Sequence, residues 1–346
     1  MGECVAKGVL VVVRVVTVSD IQILISKVGV NPFFAQFIAA LEKEYARWDL
    51  FHKSPRHAIQ VDQGVMEVMP ICDDALYAFK FVNGHPYNTG KKKLTVAALG
   101  LLAEIKSGYP LMISEMTLLT AFRTAATSAL AAKYLAKKNI KSVGIIGVGA
   151  QSEFQVMAQK ALFDIQTVKY FDIDNKAMDK FACNLKKYGL NLIACSDARA
   201  VLEGVDIITT ATAAKSQAQI LNSEWIHPGL HINSIGGDCP GKTELDKKIL
   251  SQTKIVVEYL PQSKVEGEIQ QLNATIYAEL WELIVGIKKG RESDAEITLF
   301  DSVGFAIEDF AILKFVYALA VENNLGTEMN LIPELDNPKN LFGEIS

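Results

Sequence analysis

Polar and apolar positions alternate in Val65-Met-Glu-Val-Met-Pro70 and again in Tyr77-Ala-Phe-Lys-Phe-Val82, a period of two that predicts half-buried strands. Leu94 to Ile105 and Leu111 to Ser114 flank a Ser107-Gly108 turn, so the stretch from Lys53 to Glu115 reads as an antiparallel sheet. Ahead of it, Phe34, Phe37, Ile38, Leu41 and Tyr45 recur at helical spacing. Asn31-Pro32 opens that helix, which runs to about Trp48, and Ser19-Asp20 caps a shorter one before it. Thr117 to Lys138 is an alanine-rich helix that leads out of the sheet region. Beyond it the texture changes: short apolar runs alternate with helical patterns to about residue 310, which predicts a mainly parallel sheet with helices on both faces. A last helix, Phe305 to Asn323, and the tail are expected to return to the first unit.

The first apolar run of the second region ends in Gly147-Val-Gly149-Ala-Gln-Ser152, followed by a helical pattern. Gly147 allows a sharp turn at the strand end, and Gly149 lets backbone approach a pyrophosphate with no Cβ in the way. Ser152 stands where a third glycine is usual, so the turn by itself also suits an ordinary strand-to-helix connection. A second feature favours a dinucleotide: Val168-Lys-Tyr-Phe-Asp172 reads as the next strand and ends in an acid about 25 residues after Gly147, near the spacing of a ribose-binding carboxylate. The expected fold is therefore α/β, with a Rossmann-type parallel domain over residues 129–314. A second α+β domain with an antiparallel sheet is formed by residues 1–128 and 315–346.

Half of the 346 residues are apolar, enough for two real cores. A net charge of −4 argues against a general nucleic-acid or membrane-surface binder, either of which favours a basic face, and leaves small charged metabolites open. Five cysteines (Cys4, Cys72, Cys183, Cys195, Cys239) form no C-x-x-C pair, and no histidine has metal spacing, so neither a disulfide framework nor a metal site is expected; a reducing cytoplasm fits best. The apolar run Gly8 to Thr17 is shorter than the roughly 20 residues a bilayer requires and is interrupted by Arg14, so it reads as an edge strand or an extension. No targeting signal is expected there.

Against this background a few polar residues stand out. Arg56, Glu67 and Lys80 sit in or beside apolar sequence, although alternation alone lets each of them face water. Arg123, near the start of a small-residue helix, suits an anion or a surface ion pair. Asp238 ends a strand in a Gly-Gly-Asp turn, where it either meets a ligand beyond the sheet or stabilises the turn through its own backbone. Lys91-Lys-Lys93 reads as a solvated turn and His85 as a turn residue.

Taken together, Lys53-Ser-Pro-Arg56, Gly64-Val-Met-Glu-Val-Met-Pro70, Tyr77 to Pro86, Ser107-Gly-Tyr-Pro110, Arg123 to Ser128, Gly149 to Phe154, Gly236 to Leu245, Val265 to Gln271 and Phe300 to Phe305 resemble the bacterial ornithine cyclodeaminases. The likeness runs from about Val18 to Phe342, in a wider family with the mu-crystallins, archaeal alanine dehydrogenases and imine reductases. It implies conversion of L-ornithine to L-proline and ammonia: hydride passes from Cα to NAD, the δ-amine attacks the resulting imine, ammonia leaves, and the hydride returns to the cyclic imine. It further implies that Arg56, Lys80 and Arg123 hold the substrate carboxylate, that Glu67 and Met69 shape the pocket, that Val303 touches substrate and that Asp238 moves the protons. NAD contacts are implied for Thr95, Arg123, Gly147, Gly149, Ala150, Gln151, Asp172, Thr212, Ile235, Gly236, Gly237, Asp238, Lys242 and Ser302, and a homodimer through the strand-rich, substrate-binding domain. The family also admits a lysine cyclodeaminase, an NAD(P)-dependent amino-acid dehydrogenase or ketimine reductase, and a nucleotide-dependent binding protein of the mu-crystallin kind.

Overall fold

The structure is a computed structural model that describes residues 12–213, 218–237, 239–272 and 274–345. It opens with β1 (Val13–Val16), α1 (Val18–Val28) and α2 (Val30–Ala46). Thr17, rather than Ser19, caps α1: its side chain accepts from the Asp20 amide while Asp20 Oδ2 accepts from the Thr17 amide at 2.8 Å, a reciprocal box that satisfies two orphan donors. Gly29, at φ +85°, lets the chain turn through 101° from α1 into α2. The apolar stripe of α2 buries Phe34, Phe37, Ile38, Leu41 and Tyr45 as its spacing predicts, and Phe33 beside them. Phe122 meets Phe33 edge-on at 4.8 Å between ring centroids, and each buried ring contributes on the order of 1.5–3 kcal/mol.

The strands β2 (His52–Lys53), β3 (His57–Val61), β4 (Gly64–Cys72), β5 (Leu76–Gly84), β6 (Val96–Glu104) and β7 (Pro110–Glu115) follow, then α3 (Thr117–Leu135). Neighbouring strands from β4 to β7 run antiparallel, with Met69 opposite Lys80 and Lys80 opposite Gly100. One face of these strands therefore carries Glu67, Met69, Ile71, Ala78, Lys80, Val82, Ala98 and Leu102 inward, all buried. The first strand is not an edge: β1 lies parallel to β7 on one side and is covered on the other by β16 (Thr327–Met329). The stretch read as an edge is thus an inner strand whose neighbour comes from the far end of the chain. Residues 1–11 of the N-terminal run lie outside the described residues.

The second sheet is built from β8 (Ser142–Ile146), α4 (Ser152–Leu162), β9 (Thr167–Phe171), α5 (Asn175–Leu185), β10 (Asn191–Ala194), α6 (Ala198–Leu202), β11 (Ile207–Thr210), β12 (His231–Ser234), β13 (Lys254–Val257), α7 (Leu260–Ser263), β14 (Ala278–Glu279), α8 (Leu280–Ile284) and β15 (Thr298–Asp301). Among the described residues its order is β10-β9-β8-β11-β12-β15-β13-β14, every pair parallel. The direction of winding reverses between β8 and β11, which opens a ligand crevice beyond their carboxyl ends. Both faces are covered, as parallel sheets require: Val143, Val168 and Phe181 belong to one apolar cluster, and Val201, Ile208, Ile232 and Leu299 to the other. The last long helix, α9 (Ala306–Glu322), packs on α2, α3 and the inward face of β4, β5 and β6. Among the described residues no single helix is long and apolar enough to cross a membrane.

Candidate active site

A cavity of about 420 Å³ lies where the inward face of the first sheet meets α3 and the carboxyl end of the parallel strands. All six residues singled out for substrate, Arg56, Glu67, Met69, Lys80, Arg123 and Val303, line it. The alternation of β4 and β5 left open whether Glu67 and Lys80 face water; both point inward and are buried. Arg56 donates to Glu67 Oε2 at 3.1 Å and to the carbonyls of Val303 and Gly304, and its Nε lies 3.3 Å from Glu266. Lys80 Nζ is 2.9 Å from Asp309 Oδ1. Arg123, for which a surface ion pair was one expectation, is buried: Nη1 lies 2.5 Å from Glu308 and Nε 3.2 Å from Asp309. Gly304, at φ +77°, is required beside it, because a Cβ there would stand 2.4 Å from Arg123 Nη1.

The dinucleotide turn has the shape its glycines imply. Gly147 sits at φ +90°, and a Cβ on it would fall 2.6 Å from the Ala211 carbonyl, so β8 and β11 close together here only with glycine. Nothing lies within 4 Å of a Cβ built on Gly149, which leaves its backbone open to a ligand. Asp172 Oδ2 accepts from the Val148 amide at 2.7 Å, fixing the carboxylate of β9 beside the turn. Gln151 Oε1 is buried with no hydrogen-bond partner and its residue lines the cavity, so a donor on a ligand is what would satisfy it. These features fit the phosphates and ribose of NAD. Thr95, Ile235, Lys242 and Ser302 line the same cavity, whereas Ala150 lies in a neighbouring groove with α1 and α5. Asp238 lies outside the described residues; Ile235 and Cys239, near it in sequence, line the cavity.

Two groups of buried acids support this arrangement and were not read from the sequence. Glu258, at the end of β13, accepts from Ser302 Oγ at 2.5 Å, from the Val303 amide at 2.9 Å and from the Gly304 amide at 3.2 Å, which sets the loop ahead of α9. Burial, and then the nearby Glu308 charge, push its carboxyl up from the ordinary range. Glu244 accepts from the amide and hydroxyl of Thr212 at 2.7 and 2.5 Å. A Cβ on Gly236 would sit 2.1 Å from Glu244 Oε1, so this glycine lets the turn settle on the carboxylate. Glu268 in turn holds the Glu244 amide at 2.8 Å, and Asp301 holds the Glu268 amide at 2.8 Å. Gly237 accepts from the Gly267 amide at 2.6 Å. Burial and the Asp301 charge raise Glu268 to about 8, and burial raises Asp301 to about 7. The cations respond in opposite ways. Burial and the Arg123 charge bring Lys80 down to about 8 despite Asp309, while for Arg123 the cost of burial is outweighed by Asp309 and Glu308, so its guanidinium holds its proton more firmly than usual.

The chain belongs to the ornithine cyclodeaminase/mu-crystallin family, whose model matches residues 19–324. An ornithine cyclodeaminase from Agrobacterium tumefaciens (strain Ach5) is 49% identical over 333 residues, which cover 96% of this chain and 94% of that relative. Among solved structures, an archaeal alanine dehydrogenase dimer with bound NAD has a TM-score of 0.84 at 34% identity, covering 93% of this chain and 100% of its own. A lysine cyclodeaminase solved to explain its recognition of L-lysine, L-ornithine and L-2,4-diaminobutyric acid has a TM-score of 0.89 at 27% identity, covering 96% of this chain and 99% of its own.

Proposed function

We propose that the protein is an NAD-dependent ornithine cyclodeaminase that converts L-ornithine to L-proline and ammonia. The observation that carries this reading is the charge balance of the cavity. Three cations line it, Arg56 half-buried and Lys80 and Arg123 buried, and each is held by carboxylates: Glu67 and Glu266 on Arg56, Asp309 on Lys80, and Glu308 and Asp309 on Arg123. Cationic donors of this kind suit a substrate carboxylate, and Glu67, an acid on the same wall, suits a substrate amine. The full-length similarity to an ornithine cyclodeaminase supports the same conclusion.

Arg56, Lys80 and Arg123 hold the substrate carboxylate, Glu67 and Met69 set the width of the pocket, and Val303 bears on the substrate. The Gly147 to Gln151 turn, Asp172, Thr95, Thr212, Lys242, Ser302 and the backbone from Ile235 to Gly237 would hold NAD. Bound NAD supplies a hydride acceptor that becomes the donor for the closing reduction. Asp238 takes protons from the attacking δ-amine and delivers them to the departing ammonia, work that calls for a carboxylate within hydrogen-bond reach of both nitrogens. Asp172 suits a ribose diol and repels a 2'-phosphate, so NAD is preferred over NADP.

The test is purified protein with L-ornithine and catalytic NAD. Proline and ammonia are expected in equal amounts with no lasting NADH absorbance. Steady NADH growth without proline would mean a simple dehydrogenase, and equal affinity for NADP in a parallel titration would remove Asp172 from its role.

The homodimer also belongs to this reading. Val68, Phe81 and Leu99 stand opposite one another across β4, β5 and β6 on the outward face, 37%, 39% and 56% exposed. An apolar row of this kind is suited to a second copy of the chain. Phe81→Asp is expected to convert a dimer to a monomer in analytical ultracentrifugation; an unchanged sedimentation coefficient would place the interface elsewhere.

A further inference from the structure

Lys80 and Arg123 both bear on the substrate carboxylate, and both are held by one acid of α9, Asp309. We infer that Asp309 is a positioning residue, which aims the Lys80 ammonium into the cavity and keeps it charged for the substrate carboxylate. The inference rests on the proposed substrate binding, but its test is partly independent of it.

Two acids stand in the first turn of α9, where the helix dipole favours negative charge. Glu308 has a local role: Oε1 accepts from the Phe305 amide at 3.3 Å in a capping arrangement and from the Tyr45 hydroxyl at 3.2 Å. Asp309 has no such role. Oδ1 faces Lys80 at 2.9 Å and Arg123 Nε at 3.2 Å, and Oδ2 is buried with no hydrogen-bond partner. A buried carboxylate with an unsatisfied oxygen is weak as a stabilising device, since apolar packing does at least as well. Its account lies in what it does to its partners.

The fold delivers Asp309 to Lys80 through a specific close approach. Lys80 is paired across the sheet with Gly100. A Cβ on Gly100 would lie 2.7 Å from Met116 Cγ and 2.9 Å from Leu313 Cδ2, so the glycine lets α9 bed closely onto β6. Leu313 is four residues after Asp309, on the same face of the helix. With Leu313 over Gly100, Asp309 lies one turn earlier, over Lys80.

Lys80 needs such a partner. Arg123 from α3 and Arg56 from the segment before β3 oppose its charge, while the acids around these cations are Glu67 on β4, Glu258 after β13, Glu266 after α7, and Glu308 and Asp309 on α9. Of these, Asp309 is the one whose carboxylate is hydrogen-bonded to Lys80. Burial and the two arginines favour the neutral amine, and an amine without its proton does not hold a carboxylate.

Asp309→Asn keeps the shape and removes the charge. The alkaline limb of the kcat/KM profile for L-ornithine is expected to move to lower pH by roughly one unit or more, the scale of losing one close opposite charge. The loss should appear in KM above that limb, and the variant should approach the native enzyme below pH 7. Adding Lys80→Arg should restore binding at high pH, because a guanidinium stays charged. A uniform loss at every pH would overturn the inference. Thermal unfolding tests the pair without turnover. The stabilisation that Asp309 gives a charged Lys80 is present below the folded pKa of Lys80 and lost as pH rises through about 8. The gap in Tm between native and Asp309→Asn protein should therefore narrow between pH 6 and pH 9.5, and the narrowing should vanish in a Lys80→Met background. A gap equal at both ends, with Lys80 intact, would also overturn it. If the native protein formed no proline, the functional reading would fail and the unfolding experiment would still decide the pair. If Asp309→Asn did not fold, Lys80→Arg alone should carry the alkaline limb to higher pH, and an unmoved limb would count against the inference.

Discussion

Asp238→Asn is expected to lower proline formation by roughly 10²- to 10⁴-fold, the usual scale for a positioned acid–base group. That corresponds to about 3 to 5 kcal/mol of barrier. The amide keeps the size and most of the hydrogen bonding of the carboxyl group and removes only its ability to carry a proton between two nitrogens. NAD affinity should change little, because the glycine turn and Asp172 are the proposed main anchors. The neighbouring backbone has independent support: Glu244 lies against Gly236, and the Gly267 amide donates to Gly237. The fold is therefore expected to survive, and a thermal melt alongside the assay checks this. Turnover within a few-fold of the native value would move the proton carrier elsewhere. Glu67 is then the first candidate, since it is a buried carboxylate on the cavity wall, bonded to Arg56.

The parts of this site legible in the sequence are those whose signal is local. Gly147 and Gly149 mark a turn, and Asp172 ends the following strand at a fixed distance along the chain. Glu67 and Lys80 stand at strand positions whose parity decides their face, though parity alone does not say which face is wet. Settling that took α9, whose acids come from far along the chain: Glu308 lies 185 residues beyond Arg123, and Asp309 lies 229 beyond Lys80. A signal was present, because Glu308-Asp309 is an acid pair inside the apolar run Phe305-Ala-Ile-Glu-Asp-Phe-Ala-Ile-Leu313. Such a pair at a helix start also suits a simple cap, and only the tertiary contact separates the two acids into a cap and a counter-ion. Glu244, Glu258 and Glu268 are harder still, since their partners are mostly backbone amides of loops that no residue pattern announces. The first strand failed for a similar reason. Its outer neighbour, Thr327–Met329, is three residues long and carries almost no periodicity.

Arg123→Met should destabilise the protein by roughly 3 to 5 kcal/mol near neutral pH, the range for removing one partner from a buried ion pair. The methionine fills much of the space of the arginine stem, so the effect is one of charge more than of cavity. What remains is Glu308 at 0% exposure, with an Nη1 donor lost at 2.5 Å, and Asp309, with Nε lost at 3.2 Å. Lys80 still faces Asp309 but does not hydrogen-bond Glu308, so one acid is left with the Tyr45 hydroxyl and the Phe305 amide alone. A buried carboxylate left without its counter-charge relieves the cost by binding a proton. The stability gap is therefore expected to be largest above pH 7 and to shrink as pH falls toward 5. Urea unfolding of native and variant protein at pH 7.5 and pH 5.5 measures it. A second change, Glu308→Gln, should recover part of the loss at pH 7.5, because it removes the charge that the first change strands. A gap below about 1 kcal/mol, or one that grows on acidification, would mean that water reaches these carboxylates. Arg123 would then be free to serve ligands without holding the first turn of α9 in place.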